Sequence, residues 1–240
     1  MMLRLTKLQR TLRPPALLAC LLLGSACSND AAIAVEDLPL TVLPVTKASP
    51  QLALMLSGDG GWAGLDEALG DEMVKRGIPV VGVSTLKYFW RERTPEETTA
   101  DMVRVLRKYL AAWKAKKILL IGYSFGADVM PFVVNRLPAD LRSRIVTVTL
   151  LGMGQKAGWE VHVAGWVGAK DDEGRDIAPE LDKLGSLRLL CLYGKGDDDS
   201  AESCKVFARP QMTVAEIGEG HHFGYLYAEL ADRIVAYAGR

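Results

Sequence analysis

A serine, a run of aspartates and a pair of histidines occur along this chain in an order that suits nucleophilic catalysis. Ser124 sits in Gly122-Tyr123-Ser124-Phe125-Gly126, Asp197, Asp198 and Asp199 stand together further on, and His221 and His222 follow Gly218-Glu219-Gly220. A serine hydroxyl is a poor nucleophile until a neutral imidazole takes its proton. A carboxylate then fixes the imidazole tautomer and stabilises the cation that forms. Asp197, three residues after Gly194, is the first candidate for the acid, with Asp199 as its rival; His221, directly after the glycine-rich turn, is the first candidate for the base, with His222 as its rival. His162 has no partner motif and reads as structural or superficial.

Such residues need elements to carry them. Ile118 to Ile121 is a short apolar run that reads as a buried strand, and the residues after Ser124 read as a helix. That is the strand–turn–helix setting in which a G-x-S-x-G serine is exposed above a sheet. The turn is sharp enough that a side chain at Gly122 or Gly126 would meet neighbouring backbone. The helix behind Ser124 aims N–H groups at the place where an oxyanion would form. The expected oxyanion donors are the Phe125 N–H and one from Ser57-Gly58-Asp59-Gly60-Gly61-Trp62, at Asp59 or Gly60. That loop lacks the lysine of a phosphate-binding P-loop, and no metal-ligand spacing occurs, so neither a metal nor another cofactor is expected.

The other elements follow from pattern. Leu38 to Pro44, broken by prolines, reads as an edge strand. Gln51–Leu56, Ile78–Val83, Arg144–Leu151, Leu187–Tyr193 and Met212–Ile217 read as core strands, and Trp159 to Val167 alternates like a strand. Helices are expected from about Leu65 to Gly77, from Thr94-Pro95 onward, and at the C-terminal end; Pro131 should kink or restart the helix after Ser124. Lys170 to Asp176 reads as a charged loop. Alternating strands and helices predict an α/β fold with a mainly parallel sheet and helices on both faces. In such a sheet chemistry gathers beyond the carboxyl ends of the strands, where Ser124, the aspartates, the histidines and the Ser57–Trp62 loop all fall. The order Ser, Asp, His is that of the α/β-hydrolase fold.

The chain has 240 residues, 49% hydrophobic and 24% charged, enough for one globular domain with a sizeable core. Its 29 basic residues balance 29 acidic ones. Residues 1–26 hold four of the bases (Arg4, Lys7, Arg10, Arg13) and no acid; without them 25 bases face 29 acids, a net charge of −4, which offers nucleic acid nothing. A basic start, an apolar run from Ala16 to Leu23 too short to span a bilayer, and small residues after it read as a signal peptide over 1–26. Gly24-Ser25-Ala26-Cys27 allows lipidation of Cys27, making a lipoprotein, or release of a soluble chain. Residues 27–37 read as a tether, and 38–240 as a single domain. With Cys20 and Cys27 in the leader, Cys191 and Cys204 are left to pair in an oxidising compartment.

Taken together, Ser57-Gly58-Asp59-Gly60-Gly61-Trp62, Tyr88-Phe89-Trp90 before Thr94-Pro95, Gly122 to Asp128, and Gly220-His221-His222-Phe223 resemble the bacterial virulence protein VirJ/AcvB family over nearly the whole chain after residue 38. The resemblance implies a periplasmic α/β-hydrolase with a serine triad. It further implies hydrolysis of an aminoacylated phospholipid, chiefly lysyl-phosphatidylglycerol, at a membrane surface, and a link to virulence and type IV secretion components. The ammonium groups of such a substrate would favour an acidic mouth, for which Asp59, Asp66 and Asp128 are candidates. Two other readings stay open. One is a general carboxylesterase or thioesterase; the other is a non-catalytic secretion-associated binding module on the same fold.

Overall fold

Strands that are apolar on both sides must be buried on both faces, and alternate residues must then feed two separate cores. β2 (Gln51–Leu56) does this: Leu52, Leu54 and Leu56 enter one core, while Ala53 and Met55 enter the other. β4 (Lys117–Tyr123) repeats the division with Ile118 and Leu120 against Leu119 and Ile121. The computed structural model describes residues 33–161 and 174–239. The expected signal peptide, Cys20, Cys27, the first part of the tether and His162 lie outside the described residues.

Seven strands form one sheet. The further members are β1 (Leu40–Leu43), β3 (Val80–Val83), β5 (Ile145–Leu151), β8 (Leu189–Lys195) and β9 (Met212–Glu219). Their order is β1-β3-β2-β4-β5-β8-β9. Every pair is parallel except β1 with β3, so the proline-bounded β1 is the antiparallel edge. A two-stranded ribbon pairs β6 (Lys156–Ala157) with β7 (Arg175–Asp176), which puts a strand where a charged loop was expected. Trp159 to Val161 is not a strand; instead the Arg93 N–H donates to the Trp159 carbonyl and the Val161 N–H to Phe89.

One face of the sheet is covered by α3 (Pro95–Trp113) and α4 (Phe125–Arg136), the other by α1 (Leu65–Lys75) and α8 (Tyr227–Ala238). α3 starts where Thr94 and Glu97 form a reciprocal capping box with Pro95 in the first turn. α4 continues through Pro131 as one helix, so of the kink or restart expected there the restart does not occur. The short helices α2 (Thr85–Tyr88), α5 (Ala139–Arg142) and α6 (Ala178–Asp182) fill connections, and α7 (Asp198–Val206) follows β8.

Residues 33–37, expected to be tether, pack against the body. Val35 is 3% exposed; Glu36 pairs with Lys108 at 2.6 Å and Asp37 with Arg104 at 2.6 Å. A buried apolar residue followed by two acids that find bases on α3 is held in place rather than left in solvent. Among the described residues no helix is long and apolar enough to cross a membrane.

Candidate active site

β4 hands the chain to α4 through Ser124, whose φ of 51° and ψ of −119° are strained for a residue with a side chain. The two flanking glycines make the turn possible. A Cβ on Gly122 would lie 2.6 Å from Ala127 Cα, and one on Gly126 would lie 2.6 Å from the Ser57 carbonyl oxygen. The Ser124 N–H donates to Leu151 at 2.8 Å, tying the elbow to β5.

At the carboxyl ends of β8 and β9 the chain delivers the other two groups. His221 Nε2 lies 2.9 Å from Ser124 Oγ, and His221 Nδ1 lies 2.8 Å from Asp197 Oδ2. An imidazole whose Nδ1–H donates to a carboxylate presents its Nε2 lone pair to the serine O–H, the arrangement needed to draw off that proton. The Asp197 side chain is 10% exposed and that of His221 40%. The rivals go elsewhere. Asp199 is exposed in the first turn of α7, its carbonyl accepting from Ser203 Oγ at 2.9 Å. His222 turns to Tyr123, with Nδ1 3.2 Å from Oη.

Some parts of this geometry were not read from the sequence. Gly152, just past β5 and at φ 61°, leaves room for the His221 ring; a Cβ there would lie 2.7 Å from Cε1. Gly194 lies so close to the Gly220 carbonyl that a side chain would collide with it, and the Gly220 N–H donates to Lys195 at 2.8 Å. The acid and histidine loops are therefore locked to each other. A glycine directly after an apolar strand was the available signal for Gly152, but its partner is remote in sequence.

Of the first N–H groups of α4, that of Gly126 donates to Ser57 and those of Ala127 and Asp128 to Ser124. Phe125, the first helical residue, has no acceptor within the helix for its own N–H, and none among the described residues takes it. The Gly58–Gly61 loop lies beside Ser124 and forms the wall of a cavity of about 500 Å³, with Asp59 and Gly60 in its lining. Buried side chains hold this loop. Thr85 donates from its hydroxyl to the Gly58 carbonyl and from its N–H to Ser57 Oγ, while the Trp62 ring lies against Gly82, where a Cβ would overlap it.

Asp66 lines the same cavity and is 2% exposed; burial pushes its carboxyl up to about 8. Asp128, also expected at the mouth, is not in that lining. It accepts the Gly154 N–H at 2.7 Å, and burial raises its pKa well above the carboxylate range. A side chain one turn into α4 points back at the segment after β5, so Asp128 ties that segment down. Cys191 on β8 and Cys204 on α7 form a disulfide that closes the stretch carrying Asp197.

Residues 50–239 match the sequence model of the family described as "Bacterial virulence protein (VirJ)". No curated protein matches the chain. Among solved structures, MenH from S. aureus is similar at 14% identity and a TM-score of 0.63, over 82% of this chain and 97% of that one. Est1E from Butyrivibrio proteoclasticus with ferulic acid bound is similar at 12% identity and 0.62, over 85% and 96%. The Pyrococcus furiosus esterase Pf2001 is similar at 13% identity and 0.60, over 84% and 89%. Likeness at these identities establishes the α/β-hydrolase fold.

Proposed function

The chain belongs to the VirJ family of bacterial virulence proteins, and we propose that it is an exported serine hydrolase that cleaves the aminoacyl ester of a phospholipid, with lysyl-phosphatidylglycerol as the first candidate. The observation that carries this is the unbroken hydrogen-bond chain from Ser124 Oγ through His221 to Asp197. On this reading Ser124 Oγ attacks the ester carbonyl as His221 Nε2 takes its proton, and Asp197 stabilises the imidazolium. The carbonyl oxygen becomes an oxyanion beside the Phe125 N–H and an N–H of Asp59 or Gly60. Collapse breaks the acyl C–O bond, and His221 returns the proton to the departing glycerol oxygen. Water, activated by the same imidazole, then releases the amino acid from Ser124. Lipidation of Cys27 would keep the enzyme at the lipid surface where such a substrate resides.

Support for catalysis over a binding role comes from the strain retained at Ser124, which a scaffold has no reason to keep. A fluorophosphonate probe tests it. The reading expects labelling of the wild type and none of Ser124→Ala. Purified protein should also release lysine from lysyl-phosphatidylglycerol faster than it cleaves neutral short-chain esters. The opposite ranking removes the lipid substrate and leaves a general esterase.

A further inference from the structure

The proton chain from Ser124 to Asp197 makes no use of Asp66, yet this carboxyl sits in the wall of the same cavity at 2% exposure. Its Oδ1 has no hydrogen-bond partner among the described residues. Backbone N–H groups of Gly58, Ala63 and Asp66 itself favour the carboxylate, so the unmet need is confined to this one oxygen. A buried acceptor left unsatisfied is expensive, and in a reaction cavity it marks a place where a ligand supplies what is missing. The groups facing Asp66 offer no cation: Glu67 on its own helix, Tyr123 on β4 and Tyr227 at the start of α8. The described lining of the cavity adds Asp59, His221 and His222 and contains no lysine or arginine.

We propose that Asp66 accepts a protonated amino group on the acyl part of the substrate, so that the cavity selects aminoacyl esters over plain acyl esters. The inference rests on the ester-hydrolase reading and adds the residue that discriminates among esters. An ammonium suits the place on three counts. It is small enough to approach a residue that is 2% exposed, it brings a hydrogen-bond donor to the oxygen that lacks one, and its charge is opposite to that of the ionised acid. Burial disfavours that ionised form, and an arriving ammonium restores it. The backbone N–H of Gly58 also favours the carboxylate, so Asp66 has a structural share in holding the glycine loop. An asparagine keeps an acceptor for that N–H and removes only the charge.

The experiment compares four ethyl esters of one chain length: lysine (both amino groups), norleucine (α-amino only), 6-aminohexanoate (terminal amino only) and hexanoate (neither). Wild type should favour at least one of the amino esters over ethyl hexanoate by about tenfold or more in kcat/KM. Asp66→Asn should bring that ratio to within about threefold of unity, and its circular dichroism spectrum, compared with wild type, reports whether the variant is folded. A preference that survives in Asp66→Asn overturns the proposal, as does a wild type with no preference. A second arm reads binding without catalysis: lysinamide titrated calorimetrically into Ser124→Ala and into Ser124→Ala/Asp66→Asn. A weakening of about tenfold or more in the double variant supports the role, and equal affinities overturn it. Should wild type cleave none of the esters, the hydrolase reading falls, and the binding arm still decides whether Asp66 holds the amine.

Discussion

Gly152 and His221 come from loops that follow different strands and share one space: a Cβ on Gly152 would lie 2.7 Å from His221 Cε1. The imidazole that faces Ser124 therefore stands where it does because a residue sixty-nine positions earlier has no side chain. Gly152→Ala should push the ring away from Ser124 and also strain a backbone at φ 61°. A displacement of about 1 Å costs on the order of 10²-fold in turnover. Steady-state kinetics and the rate of fluorophosphonate labelling should fall together, with the circular dichroism spectrum unchanged.

Asp197 and Asp199 differ in what they touch, and substitution should separate them. Asp197→Asn keeps the shape but presents the wrong partner to His221 Nδ1, and kcat should drop by about 10⁴-fold. Asp199→Asn alters an exposed side chain on α7 and should leave kcat within about twofold. Equal losses from both would assign the acid wrongly.

The Cys191–Cys204 disulfide closes a loop spanning thirteen positions that contains Asp197. In the chain-entropy model a loop of this size contributes on the order of 3 kcal/mol. The double variant Cys191→Ala/Cys204→Ala should lower the urea midpoint, with an m-value equal to or above that of wild type because the uncrosslinked denatured chain exposes more surface. A midpoint equal to wild type would show that the covalent link adds no stability.

Asp66 links stability to pH. Its pKa rises from 3.8 to about 8 on folding, so between those values the native state binds more protons than the unfolded state. Stability attributable to this group is then fully present below about pH 4, falls as the pH rises toward 8, and is flat above. Asp66→Asn removes the penalty. Its thermal midpoint should match wild type near pH 4 and exceed it at pH 8.5, by an amount of the order of several kcal/mol in unfolding free energy. A constant difference across that range would mean that Asp66 does not titrate there.

The elbow was legible from its motif: a Cβ on Gly122 would meet the Gly126 and Ala127 backbone a few residues on, while one on Gly126 would meet the remote Leu56 and Ser57 backbone at the end of β2. The strands were legible because doubly buried strands are uniformly apolar, as in Gln51–Leu56 and Lys117–Tyr123. The helix α7 was not, because Asp198 and Asp199 resemble a turn and its mean pattern is weak; the packing of Cys204 against β8 stabilises it. Asp128 was not legible, because an acid just after the elbow serine looks the same in sequence whether it faces a cavity or the Gly154 N–H.

From residue order alone came the elbow serine, the strand–turn–helix around it, the parallel sheet and a short choice of acids and bases, since each depends on periodicity, on motif spacing or on sterics between near neighbours. Three-dimensional packing alone set His221 rather than His222 beside Ser124, Asp197 rather than Asp199 beside His221, and Asp59 and Asp66 but not Asp128 in the cavity wall. Those choices depend on distances between strand ends that are far apart along the chain, and on how much water each carboxyl loses when the sheet and helices close around it.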